Sequence, residues 1–407
     1  MASIVTKIRK VAAEPTFPVL LALSGVHCLN DALQSVITAV YPMLKDDLSL
    51  NFAQIGLITL VYQIASSVFQ PVIGYVFDRR PFVRSLPAGM CCTATGIVLF
   101  AFAGSLVSVL VAVAVVGIGS ATLHPEASRI TSLASHGRRG MAQSIFQVGG
   151  NLGTSVGPLL VAVAVAPYGR SRAAMFVVLA LLAMRLMMPI CRWYGMWLGE
   201  RRAQKASGAV HHIPRPLGPA GTWATVGLIL VLIFSKYIYM ASITSYYTFY
   251  LIDAFGLSIQ SSQLCLFVFL FATAAGTLVG GPVGDRYGRK TVIVVSLLGT
   301  APFSLLMPHC GLALTVAMSF GAGFMLSSAF PAILLYSQEL FPNKLGTVSG
   351  MFFGLSFGVA GIASAALGYF ADSYGIEAIY RVCAFMPLLG FAAVWLPRLS
   401  KSSRPKE

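Results

Sequence analysis

The sequence predicts an all-α integral membrane protein: twelve transmembrane helices in two six-helix pseudo-repeat bundles, with both termini cytoplasmic. Three observations carry that expectation: the composition, the length of the apolar runs, and the placement of the basic residues. Of 407 residues, 57% are hydrophobic and 10% charged, against about 25% charged in a soluble domain. A water-soluble fold built from this chain would leave a very large apolar surface, so composition alone assigns it to the membrane class.

A span needs about 20 mostly apolar residues. In chain order the runs that qualify cover roughly 17–44, 52–77, 85–104, 106–128, 141–166 and 173–197, then 223–251, 260–284, 291–308, 312–338, 346–371 and 377–397. Helices are expected throughout. Lipid offers backbone amides no partner, and the runs are too long and too uniformly apolar for barrel strands. The first run follows Lys7, Arg9 and Lys10. It is too long for the apolar core of a signal peptide and reads as the first span.

The net charge of +15 invites a nucleic-acid reading, but the positions of the 28 lysines and arginines argue against it. If the chain crosses at every run, Lys45, Arg170, Arg172 and Arg381 fall on one side and Arg185 and Lys236 inside spans, while all the others share the opposite side. That bias is the positive-inside signature of an inner-membrane protein with cytoplasmic termini. The seven cysteines lie in or beside apolar runs without a CxxC pair, so neither a disulfide framework nor a metal site is expected.

The longest polar stretch, 198–222, is rich in glycine, proline and basic residues and reads as a cytoplasmic linker between bundles at 1–197 and 223–407. His211 and His212 within it are expected to be solvated. On either side stand G-Y-V-F-D-R-R (Gly74 to Arg80) and G-P-V-G-D-R-Y-G-R-K (Gly281 to Lys290), each after the second span of its half. Gly74 to Gly281 and Asp78 to Asp285 are both 207 residues, an internal repeat. Six plus six spans in parallel repeat is the arrangement of the major facilitator superfamily, and the motif resembles that superfamily's loop between spans two and three. The resemblance implies a conformational-switch role for Gly74, Asp78 and Arg79 and for Gly281, Asp285, Arg286, Gly288 and Arg289. The first copy departs from the pattern after Arg79, reading R-P-F where G-R-K is expected, which weakens the inference for Asp78.

Longer stretches narrow the match. H-C-L-N-D-A-L-Q-S, L-H-P-E-A-S-R-I, A-Q-S-I-F-Q-V-G-G-N and F-S-K-Y-I-Y-M-A-S-I-T-S-Y-Y-T-F-Y-L occur in spans one, four, five and seven. Together they resemble the fosmidomycin resistance proteins, a bacterial branch of the superfamily, from about Pro18 to Pro397. That resemblance implies export of a small phosphonate-type anion driven by inward proton flow. A proton-coupled importer of a small metabolite on the same fold is the alternative. An integral-membrane enzyme is disfavoured, since the sequence offers no nucleophile, metal or cofactor constellation, and no cofactor is expected. The absence of a GxxxxGK[ST] loop argues against ATP as the energy source. The partners expected are the solute, protons and lipid, with no nucleic acid, for a monomeric carrier.

Residues for that work are polar groups inside apolar runs. His27, Asn30 and Asp31 are spaced three and four apart, which puts them on one helix face. Asp31 lies about 14 residues, roughly 21 Å, into its span, near mid-membrane. A charged carboxylate there costs several kcal/mol unless paired or wet. Desolvation favours the neutral acid, as a proton-loading group needs, and His27 is placed to share the proton. The competing reading is a trio of inter-helix hydrogen bonds that never titrates.

Glu126 follows Pro125, where a local break is expected, and sits roughly 30 Å along span four, near the cytoplasmic end. It is either a second proton carrier or the partner of Arg129 in a gate pair. Lys236, deep in span seven, suits an anionic solute or a counter-ion for Asp31, whereas Arg185 in span six is assigned a structural role. Gln63, Gln147, Asn151, Tyr237 and Tyr239, with Asn30, complete the expected solute site, and hydrogen bonds between helices are the alternative use of their polar groups.

Overall fold

In spans this apolar every backbone amide must find its partner within the segment, and the chain is helical accordingly. The structure is a computed structural model that describes residues 16–135, 139–205, 216–342 and 344–399, and no strand occurs among them. The helices are α1 (Phe17–Ala39), α2 (Tyr41–Asp47), α3 (Phe52–Arg79), α4 (Ser85–Ala101), α5 (Leu106–Leu133), α6 (Arg139–Leu160) and α7 (Val177–Lys205). Then come α8 (Pro219–Phe255), α9 (Ile259–Tyr287), α10 (Arg289–Leu306), α11 (Leu312–Leu340), α12 (Leu345–Tyr374) and α13 (Ile376–Cys383). Among the described residues, eleven helical segments are long and apolar enough to cross a membrane; Ser85–Ala101 is apolar but shorter.

Local chemistry explains the departures from uniform spans. Pro42 has no amide hydrogen to continue the ladder, and the first run steps at Val40 between α1 and α2. The final run is α-helical only to Cys383 and then a 3₁₀ helix, Met386–Trp395, with Pro387 in its first turn. The break expected at Pro125 is corrected: α5 runs unbroken through it, with Pro125 buried against the neighbouring helices. Helix extends into the expected linker from both sides, to Lys205 and from Pro219. His211, His212 and both chain termini lie outside the described residues.

Packing follows the small residues. Gly149, Gly153 and Gly157 recur every four positions on α6 and meet α1 at Ser24, Cys28 and Ser35. A side chain at Gly153 would collide with the carbonyl of Cys28. This is the close approach that drives helix association where no hydrophobic effect operates. α3 packs on α5 and α12, α9 on α11 and α6. The first six long helices therefore meet the last six chiefly through α3 against α12 and α6 against α9. The two glycines of the repeat sit at those contacts, Gly74 against Gly346 and Gly281 against Ser144. Between α9 and α10 the chain turns at Gly288, whose φ of +91° suits glycine. Leu21, Val107, Val163, Val178 and Ile362 are exposed on the outside, as a lipid-facing surface requires.

Candidate functional site

The helices surround a central cavity of about 200 Å³. Asp31 and His27 of α1 reach it on one side, with His124 of α5 beside them, and Lys236 and Tyr237 of α8 on another. Phe330, Phe353 and Phe357 from α11 and α12 form an aromatic wall, and Gln147, Asn151 and Thr154 line a polar stripe on α6.

Asp31 lies between two imidazoles. Its Oδ2 is 3.2 Å from Nε2 of His27 and its Oδ1 3.5 Å from Nε2 of His124. The other ring nitrogens have partners of their own. Nδ1 of His27 is 2.9 Å from the carbonyl of Phe146, which only accepts, so that nitrogen carries a hydrogen and donates it. Nδ1 of His124 is 3.1 Å from both the carbonyl and the hydroxyl of Ser120 and is satisfied as donor or as acceptor. Nε2 of a neutral His27 therefore turns a lone pair toward the carboxylate, and that contact is favourable only with a hydrogen between them. One lone-pair atom from each of the three side chains lies within 4.8 Å of the others, close enough to share one small cation.

The surroundings hold that arrangement. His27 stacks on Phe146 with ring centroids 4.1 Å apart, and His124 meets Phe357 edge-on at 5.2 Å. A side chain at Gly150 would strike His27 and come within 2.9 Å of Asp31 Oδ2, so glycine is required there. Both histidines are almost fully buried, while Asp31 keeps 17% of its side-chain surface exposed, toward the cavity.

Lys236 is buried, with Nζ 4.4 Å from the centre of the Phe330 ring and 5.4 Å from that of Tyr237. Among the described residues no carboxylate forms an ion pair with it. A counter-ion contact with Asp31 is therefore absent: the aspartate is satisfied by histidines, the ammonium by ring faces.

The other candidates separate. Gln63 and Gln147 line the cavity, and Oε1 of Gln147 is buried without a partner. Asn151 also lines it, but donates to Thr277 Oγ1 at 2.6 Å and to the Thr273 carbonyl at 3.4 Å, tying α6 to α9. Asn30 is a correction to a solute-binding role: it is fully buried off the cavity and donates to Asp31 Oδ1 at 2.9 Å. Its one-residue offset from Asp31 rotates it about 100° away. Tyr239 likewise is buried away from the lining, two positions beyond Tyr237 on a helix. Arg185 is exposed on the outer face of α7.

Glu126 is also off the cavity. Its carboxylate accepts from Arg129 Nε at 2.9 Å and Nη2 at 3.0 Å, and Arg129 also bonds the hydroxyl of Tyr194. In the repeated loops, Asp78 accepts from the Thr347 amide, the Arg79 guanidinium lies over Tyr75, Arg286 lies over Tyr287, and Arg289 pairs with Glu339 at 2.8 Å. The Asp285 side chain lies outside the described residues.

His124 is the site residue that sequence reasoning passed over. The available signal was a second histidine inside an apolar run, in L-H-P-E, overshadowed by the carboxylate two residues on. Ser120, one turn before it, bonds the same ring at 3.1 Å.

Comparison with known proteins agrees with a helical membrane-transporter fold. The model of the Major Facilitator Superfamily matches residues 23–264 and 228–407. The fosmidomycin resistance protein of Escherichia coli (strain K12) is 53% identical over 385 residues, covering 95% of this chain and 94% of that protein. The uncharacterized MFS-type transporter YfnC of Bacillus subtilis (strain 168) is 40% identical, covering 94% of this chain and 93% of its own length. A probable sulfoacetate transporter, SauU, of Cupriavidus necator is 25% identical over 86% of this chain and 87% of its own.

Proposed function

The chain belongs to the major facilitator superfamily, in the fosmidomycin resistance protein family, and from that membership we propose that this multi-pass membrane transporter exports a small anionic solute in exchange for protons. The carrier is read as twelve spans in two six-helix bundles joined by the 198–222 linker, with both termini cytoplasmic, in a bacterial inner membrane. It moves its solute by alternating access and is not an enzyme.

One observation carries the reading. A carboxylate that needs a hydrogen between itself and His27 Nε2, with His124 beside it, shares a cavity with a buried ammonium that has no carboxylate ion-pair partner among the described residues. The first group is suited to hold a proton, the second an anion. A single point charge against the Phe330, Phe353 and Phe357 wall suits one anionic head on a short apolar body. A phosphonate of the fosmidomycin type has that chemistry, and the name of the Escherichia coli relative supports it. Loading Asp31 from the periplasmic side and emptying it to the cytoplasm would drive the anion the other way. His27 and His124 then act as proton partners, Gln63, Gln147 and Tyr237 as solute contacts.

The test is transport into inverted vesicles holding the purified, reconstituted protein. An acid-inside gradient is expected to drive accumulation of fosmidomycin, and no uptake under that gradient rejects the exporter. Asp31→Asn is expected to lose gradient-driven accumulation while keeping solute exchange at equal concentrations. Lys236→Gln is expected to raise KM about tenfold or more, since a hydrogen bond to a charged group contributes about 1.5–3 kcal/mol.

A further inference from the structure

The end of α3, Gly74-Tyr75-Val76-Phe77-Asp78, reads G-Y-x-x-D, and so does the end of α12, Gly368-Tyr369-Phe370-Ala371-Asp372. The second pentad does not follow the half-chain repeat, so the shared pattern alone does not show that the two helices meet. The structure does. α3 and α12 are antiparallel neighbours, and each pentad lies on the first turn of the other helix.

At one end, Asp78 Oδ2 accepts from the backbone amide of Thr347 at 3.0 Å and from its hydroxyl at 3.2 Å. At the other, Asp372 Oδ1 accepts from the amide of Phe52 at 3.0 Å and Oδ2 from that of Ala53 at 2.8 Å. The next amide of that turn, Gln54, is capped from within α3 by Asn51 at 2.8 Å. First-turn amides have no partner inside their own helix, and the dipole there favours negative charge. The glycines allow the approach: a side chain at Gly74 would come within 2.6 Å of the Gly346 carbonyl, and one at Gly368 would strike the carbonyl of Phe52. The contact is reciprocal, since the last turn of each helix caps the first turn of the other.

We propose that Asp372 is a second latch, at the opposite end of this antiparallel helix pair from the switch-motif aspartate Asp78, and that it must release for the central cavity to open at its own end. In this structure both are engaged, so α3 and α12 are joined at both ends of the pair. Both aspartates are exposed, and the turns they cap are partly so. Water can therefore replace a released carboxylate, which makes each latch reversible. Asp78 acts at the end where the repeated motif placed a switch; Asp372 gives the opposite end an equivalent. The proposal stands whether or not Asp31 carries a proton.

The test reads distance, not transport. Spin labels are placed on Asp46→Cys with Ser373→Cys at one end, and on Arg80→Cys with Lys344→Cys at the other. The full chain, otherwise free of cysteine, is held in lipid nanodiscs. Asp372→Ala is expected to add a longer-distance population to the 46/373 pair and leave 80/344 unchanged, and Asp78→Ala to do the converse. Asp372→Asn, which keeps one acceptor, is expected to fall between parent and Asp372→Ala, and it decides the matter should the alanine variant not purify as a single species. An unchanged 46/373 distribution in the Asp372 variants, or widening at 80/344 instead, overturns the assignment. Loss of coupling in Asp31→Asn would leave these distances as they are, so failure of one reading is distinct from failure of the other.

Discussion

Asp31 tolerates mid-membrane depth because its two oxygens meet three polar groups, the rings of His27 and His124 and the amide of Asn30, before they meet lipid. Removing one ring should weaken the proton's hold more than it weakens folding, since Asp31 still faces the central cavity and keeps its other partners. His124→Ala is therefore expected to cut gradient-driven transport about tenfold or more, with solute exchange at equal concentrations near normal. Parallel measurement of the two rates checks this. Glu126 behaves differently. Buried with Arg129 and away from the cavity, it belongs to an ion pair whose rupture leaves an unpaired buried charge. Glu126→Gln should cost about 3–5 kcal/mol of stability, read as a lowered Tm in detergent, and Glu126→Gln combined with Arg129→Met should recover part of it. A Tm unchanged in Glu126→Gln would return this residue to the proton path.

At the scale of the element, α6 does two jobs with one glycine-rich face. Gly149, Gly153 and Gly157 let α1 approach, and Gly150 leaves room for the His27 ring and the Asp31 carboxylate. Gly153→Val pushes α6 off the Cys28 carbonyl, an overpacking that costs about 1–3 kcal/mol. It is expected to lower Tm in detergent, with transport falling alongside because the same contact sets the position of Asp31. The sequence displayed these glycines and suggested helix packing for them. It did not say which neighbour they met, because spacing on one helix identifies a face and not the surface that covers it. The same limit explains Asn30 and Tyr239: a face as wide as offsets of three and four permit takes in residues that turn to a neighbouring helix instead of the cavity.

For the whole molecule, the basic residues of the loops imply that α3 ends on the cytoplasmic side and α12 on the other. In intact cells, a membrane-impermeant thiol reagent is expected to label Ser373→Cys, and to label Arg80→Cys only after the membrane is opened. Labelling of both from outside would overturn the orientation. The helix pairs α3 with α12 and α6 with α9 form the main contact between the two halves of the chain.

Much of this protein was legible in one dimension. Apolar run length determined that the chain is helical and membrane-spanning, since every backbone amide in lipid must be satisfied locally. The 207-residue offset pointed to a doubled architecture, and polar groups in apolar runs singled out Asp31, His27, Lys236 and Gln147. These are properties of the chain near each residue, so sequence carries them. Which partner each polar group found was decided only by the tertiary structure. His124 comes to Asp31 from another helix; Lys236 meets aromatic rings and not the aspartate; Asp372 meets α3 more than 300 residues earlier. The physical reason is that a buried charge or amide takes its stabilisation from whatever is packed within about 3–4 Å of it, and that neighbour is set by helix packing rather than by position along the chain.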